Sequence, residues 1–248
     1  NIVAADDGNL WVTTYWKGIE YFDKETGHFS HYNTATVPGL ASDNIWTVAD
    51  GGNGKLYIGH VHHGFSILSI KDKKVRNFVH DPNNRNSLPG NEVRCVYKDM
   101  NHNIWVGTNK GLALFNPESE NFIQFNSDGN LSHYIYDIRQ LDGNKLWIAM
   151  EFGGIAIMDL SQRLFLLPEQ TQFHYIREGD DGYSLSNSSA RCIFQDSFKN
   201  IWTGVWGGGI NFLSYEPPLF SGYYYSPNQN SISRLNNKTA SSICVDSQ

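Results

Sequence analysis

Short apolar runs, mostly aromatic or β-branched and often alternating with polar residues, are broken every few positions by Gly, Asn, Asp or Ser. Val93-Arg94-Cys95-Val96-Tyr97, Leu112-Ala113-Leu114-Phe115 and Phe122-Ile123-Gln124-Phe125 are of this kind. None repeats at the three-to-four spacing of a helix, so the pattern predicts strands joined by turns.

One phrase recurs: a polar turn, an apolar residue, an aromatic, and a small residue two places later. Its copies are Asp7-Gly8-Asn9-Leu10-Trp11-Val12-Thr13, Gly54-Lys55-Leu56-Tyr57-Ile58-Gly59, Asn101-His102-Asn103-Ile104-Trp105-Val106-Gly107, Gly143-Asn144-Lys145-Leu146-Trp147-Ile148-Ala149 and Lys199-Asn200-Ile201-Trp202-Thr203-Gly204. The aromatics at 11, 57, 105, 147 and 202 are 46, 48, 42 and 55 residues apart, and a Gly follows each at +7 or, once, +6 (Gly18, Gly64, Gly111, Gly154, Gly209). A period in the forties requires a helix pair or four strands. In the third copy the strands fall at about 92–98, 103–108, 111–116 and 121–125, which is a four-stranded antiparallel propeller blade. The prediction is an all-β propeller with five repeats, the blades occupying 1–214. Residues 215–248 are expected to give the outer strand of the fifth repeat and, at Ser242–Asp246, the first strand of a sixth blade or a second propeller. The chain thus reads as a segment of a longer propeller protein.

Composition narrows the classes. With 248 residues, 14% aromatic and only 18% charged side chains, there is ample material for a core. A net charge of −6 without a Lys/Arg cluster argues against contact with nucleic acid, whose affinity rests on phosphate neutralisation. No apolar run is long enough for a membrane helix. Cys95, Cys192 and Cys244 form no C-x-x-C pair and read as small buried strand residues. No cofactor is expected.

With strands a to d running outwards from the axis, the a–b turns lie on one face of the disc. The b–c turns and d–a connections lie together on the other. The Asp/Asn-rich a–b turns read as Asx turns, the repeated Trp or Tyr as inter-blade core, and the Gly as a positive φ or room for a neighbouring blade. The b–c turns instead vary: Tyr15-Trp16-Lys17, Val61-His62-His63, Asn109-Lys110, Glu151-Phe152-Gly153 and Trp206-Gly207-Gly208. Variable loops on a rigid scaffold are where binding resides. Trp16, Phe152 and Trp206 are candidate stacking platforms for a sugar, with Lys17, His62, His63, Asn109 and Glu151 as polar contacts. Lys17 points towards an acidic sugar.

Two other readings stand. In one, His60 and His62 lie on the same side of a strand and hold a metal in a propeller polysaccharide lyase or hydrolase. In the other, the propeller binds protein, and Trp16 and Trp206 are buried between blades. The sialidase Asp-box is missing, because Leu or Ile precedes every repeated aromatic.

The sequence Val93–Asp99, then Asn103–Thr108 and Gly111-Leu112, resembles the two-component regulator propeller repeat. So do the d–a connections Asn86–Asn91, Tyr183–Asn187 and Asn230–Ser233. The resemblance implies the periplasmic, seven-bladed sensor region of an inner-membrane hybrid two-component protein of the Bacteroidetes type. It further implies an Ig-like domain, a membrane span, a cytoplasmic histidine kinase and regulator parts; the kinase, membrane and regulator segments are not in this sequence. The expected ligand is an oligosaccharide, and the expected assembly a homodimer of the full-length sensor. Tyr57 for Trp, Met150 and Val205 for the common Thr, and an insertion near Arg163–Thr171 depart from the repeat.

Overall fold

The computed structural model describes residues 1–215, apart from 126–128, 130, 132, 142, 162–167 and 180–183. The described residues form antiparallel sheets in chain order, without an α-helix. The first comprises β1 (Ile2–Ala4), β2 (Leu10–Thr14), β3 (Gly18–Phe22) and β4 (Phe29–Tyr32). The second holds β5 (Ile45–Gly52), β6 (Lys55–His60), β7 (Phe65–Ser69) and β8 (Val75–Phe78). The third has β9 (Val93–Lys98), β10 (Ile104–Thr108), β11 (Gly111–Asn116) and β12 (Asn121–Phe125), close to the predicted ranges. The fourth contains β13 (Ile135–Leu141), β14 (Lys145–Met150), β15 (Gly154–Asp159) and β16 (Phe173–Ile176). The fifth shows β17 (Ala190–Gln195), β18 (Ile201–Val205) and β19 (Gly209–Leu213). The expected outer strand of the fifth repeat, the strand at 242–246 and Cys244 lie outside the described residues, as does most of the predicted insertion. Pro168–Gln170 of that insertion is a 3-10 turn.

Each sheet is a meander, and the first strands β5, β9, β13 and β17 adjoin their neighbours along the inner side. Four separate apolar cores lie between successive blades. Alternate residues of a b strand serve different cores: Trp105 packs towards the fourth blade, whereas Ile104 and Val106 pack towards the second. Both faces are therefore apolar, and β10 is buried at every position, although side chains alternate along a strand.

The repeated aromatics behave as inter-blade core. Trp11, Tyr57, Trp105 and Trp147 are buried, while Trp202, on the outward face of the last described blade, is 39% exposed. Cys95 is buried as expected, but Cys192, on that same blade, is exposed. The small residue two places after the aromatic lets the next blade approach. A Cβ on Gly107 would lie 2.6 Å from Ile135 Cγ2, and one on Gly59 would lie 2.7 Å from Val93 Cγ1. The following glycines take φ of 87° at Gly18, 72° at Gly64, 126° at Gly111, 74° at Gly154 and 78° at Gly209. The space they leave at Gly18, Gly64 and Gly154 is taken by a carbonyl of the same blade's outer strand, at Tyr32, Phe78 and Ile176, rather than by a neighbouring blade.

Candidate functional site

From the second blade to the fifth, backbone hydrogen bonds hold the b–c turn to the lead-in of that blade's first strand. Val61 N–H donates to Asn44 O at 3.1 Å, Asn109 to Glu92 at 3.0 Å, Glu151 to Tyr134 at 2.9 Å and Trp206 to Ser189 at 2.8 Å. The turn ends are also bonded to the next blade, as in Gly64 N–H to Asn91 O at 2.9 Å and Gly154 N–H to Ser188 O at 2.7 Å. The b–c turns and d–a connections therefore form one rim.

On that rim every first strand from the second blade to the fifth carries a bulge at its second residue. The ladders pair Ile45 and Thr47, Val93 and Cys95, Ile135 and Asp137, Ala190 and Cys192, and skip the residue between. The skipped residues are Trp46, Arg94, Tyr136 and Arg191. A bulge releases its residue from the ladder and re-aims the side chain, and none of these four belongs to an inter-blade core.

They form an alternating series of aromatic rings and cations. The Arg94 guanidinium lies 4.6 Å from the Trp46 ring centre, 4.9 Å from Tyr134 and 5.1 Å from Tyr136. That of Arg191 lies 3.8 Å from Tyr136 and 5.2 Å from Trp206. Contacts of this kind fix a flat cation against a ring face. Each cation has one carboxylate: Arg94 Nη2 to Glu92 Oε2 at 3.4 Å, and Arg191 Nη2 to Glu151 Oε1 at 2.7 Å. Tyr136 O–H donates to Glu151 at 3.4 Å, and His62 Nδ1 lies 3.7 Å from Glu92 Oε1. Behind the bulges, Asp137 accepts the Ile193 N–H at 2.9 Å and so ties the fourth blade to the fifth. Burial raises its carboxyl pKa, against the lowering pull of Arg139.

Of the sequence-derived candidates, the structure gathers His62, Glu151 and Trp206 into this cluster. Trp16, Phe152 and Trp206 are 60%, 73% and 70% exposed, so neither Trp is buried between blades as the protein-binding reading requires. Trp16 packs perpendicular to Tyr15, ring centres 5.3 Å apart, and Phe152 N–H donates to Ser189 Oγ at 3.3 Å. Lys17 and His63 are exposed on their turns, and Asn109 is half-buried against Gly90.

The expected pairing of His60 with His62 is not formed. Strand β6 ends at His60, so alternation does not carry through to His62. His60 is fully buried, with Nε2 2.8 Å from Ser66 Oγ, whereas His62 is exposed. Among the described residues no three His, Cys, Asp or Glu side chains come together in a metal-binding group.

The bulged residues and Glu92 and Tyr134 escaped the sequence reading, which looked for variation in turns alone. The signal was present: the second position of successive first strands reads Trp46, Arg94, Tyr136, Arg191, between neighbours from the common frame.

Residues 87–110 match the family model described as two component regulator propeller. The whole chain superposes on the extracellular domain of a hybrid two-component system from B. thetaiotaomicron with a TM-score of 0.77 and 53% identity, and spans 30% of that chain. Histidine kinase P4 of Formosa agariphila is 30% identical over 86 residues, which are 32% of this chain and 6% of that protein. Virginiamycin B lyase from Staphylococcus aureus shares the fold, with a TM-score of 0.57 and 15% identity across 87% of this chain and 69% of the lyase. Residues 87–110 thus carry a two-component regulator propeller repeat, and the chain is similar throughout its length to the extracellular domain of a hybrid two-component system.

Proposed function

We propose that this chain is a non-enzymatic, ligand-sensing segment of a periplasmic sensor, and that its rim binds an oligosaccharide. The observation that carries this reading is the backbone under two exposed rings. Trp16 and Phe152 have φ of 64° and 58°, and Gly207 stands at the corresponding place in the fifth blade with φ of 71°. A left-handed conformation costs a residue with a Cβ roughly 1–2 kcal/mol. Two large apolar rings are thus held in solvent where glycine would sit without strain. Strain of this kind is kept at functional sites, and flat apolar faces beside polar groups suit the C–H faces and hydroxyls of a sugar.

The likeness to a hybrid two-component system and to a histidine kinase supports a role upstream of a kinase located elsewhere in the full-length protein. A signal requires that the ligand favour one of two receptor arrangements, here within a homodimer. Calorimetric titration of the full-length protein with polysaccharide-derived oligosaccharides in EDTA tests the reading. One class should saturate and be weakened by Phe152→Ala or Trp206→Ala. No binding by any class, with turnover appearing once divalent metal is restored, would replace the sensor by a lyase.

A further inference from the structure

We infer that the rim selects a saccharide bearing a negative charge, and that Arg94 and Arg191 receive its carboxylate or sulfate. This rests on the saccharide-sensing reading and narrows it to one charge class.

Among the described residues the two guanidinium groups leave donors unused. Each has five donors in one plane. Their flat faces are occupied by rings, so ligands can reach them only at the edges. Among the described residues each spends one donor on one carboxylate, Glu92 for Arg94 and Glu151 for Arg191. Among the described residues the Nε–H of each is buried and has no partner. A buried donor without a partner is costly, and proteins hold few of them. Here two equivalent atoms share this condition, on two side chains packed against the same ring, that of Tyr136.

The unpartnered atoms are concentrated on this rim. Of the buried side-chain atoms without a partner, Asn44 Oδ1, Trp46 Nε1, Arg94 Nε, Asn109 Oδ1 and Arg191 Nε all belong to first strands, their lead-ins or the b–c turns. Three of these five are donors, two of them cationic. An oxygen pair in one plane matches a guanidinium edge, and a charge-assisted bond is about twice as strong as a neutral one. A sugar hydroxyl supplies a single uncharged oxygen and leaves the second donor unmet. With side-chain exposures of 22% for Arg94 and 27% for Arg191, the pair is partly desolvated, which strengthens its attraction for an anion.

The paired glutamates set the limit of the preference. They balance the two cations, and the chain carries a net charge of −6. The site therefore suits isolated charges spaced along a sugar chain rather than a dense polyanion. Trp206, 5.2 Å from the Arg191 guanidinium and largely exposed, is placed to stack against the pyranose ring that bears the charge.

The test is titration of the full-length protein with two sets of oligosaccharides. The acidic set comes from polygalacturonate, alginate, chondroitin sulfate and heparin, and the neutral set from xylan, mannan and galactan. An acidic member should saturate, and Arg94→Gln or Arg191→Gln should weaken it about ten- to hundredfold, with thermal unfolding measured alongside. Methyl esterification or desulfation of that same ligand should abolish binding to the unaltered protein, a measurement independent of any variant's folding. Retained affinity after that neutralisation overturns the charge assignment. So does saturation by a neutral member that both Arg→Gln variants bind equally well, while sugar sensing stands. Failure of both sets to bind overturns both readings.

Discussion

Asp99 Oδ2 accepts the indole N–H of the fully buried Trp105 at 2.9 Å. Its Oδ1 takes the backbone N–H groups of Asn101 at 2.9 Å and Asn103 at 2.8 Å. One carboxylate thus shapes the a–b turn and satisfies the core residue beyond it, and Asp196 repeats the arrangement with Trp202 at 3.0 Å. Asp99→Ala is expected to cost about 2–3 kcal/mol in urea unfolding, because a buried N–H and the turn lose their acceptor together. Combined with Trp105→Phe, the loss should fall short of the sum of the single changes. Asp196→Ala should cost less, since Trp202 is partly exposed.

Gly107 faces Ile135 across the third and fourth blades. Gly107→Ala should destabilise by about 1–3 kcal/mol through overpacking. Combined with Ile135→Ala, the loss should fall short of the sum of the two single changes, as the corresponding pair between the fourth and fifth blades is already Ala149 and Ala190. Additive losses in thermal unfolding would show that the two positions do not press on each other.

His60 gives the second blade a defined acid sensitivity. Burial, aided by the neighbouring His63, lowers its pKa from 6.5 to about 4. Between those values the unfolded chain carries a proton that the folded protein refuses, so stability is full above pH 6.5 and falls as pH drops towards 4. The loss is on the order of 3 kcal/mol, at about 1.4 kcal/mol per tenfold change in proton affinity. His60→Gln should flatten the dependence of unfolding free energy on pH across that window; an unchanged slope would assign it to other groups.

Trp16→Gly and Phe152→Gly separate strain from binding. Each relieves a left-handed residue, so stability should hold or rise by up to ~1 kcal/mol. Affinity for the proposed saccharide should fall several-fold. Lower stability with unchanged affinity would make these rings structural.

The blades were legible because their constraints recur. Trp105, Gly107 and Gly111 each answer a fixed need of core, close approach or turn, and the same need returns in other copies. The rim was legible only in part. Glu151 and Trp206 stood out as irregular turn residues, but Arg94 and Arg191 lie within strands and reach the rim only through the bulge. The sign of the skip is chemical rather than periodic: Trp46, Arg94, Tyr136 and Arg191 differ from copy to copy between neighbours that keep the common frame. His60 misled for a related reason: strand alternation was extended past the point where β6 ends.

The bulges also divide the chain by tolerance to change. Positions such as 105 and 107 are held by two blades at once, and few substitutions there are neutral. Positions 46, 94, 136 and 191 sit outside all four cores, so their chemistry can be rewritten while the scaffold stays the same. On the proposed rim-binding reading, a change of ligand then needs only a handful of rim substitutions, none of which touches a core.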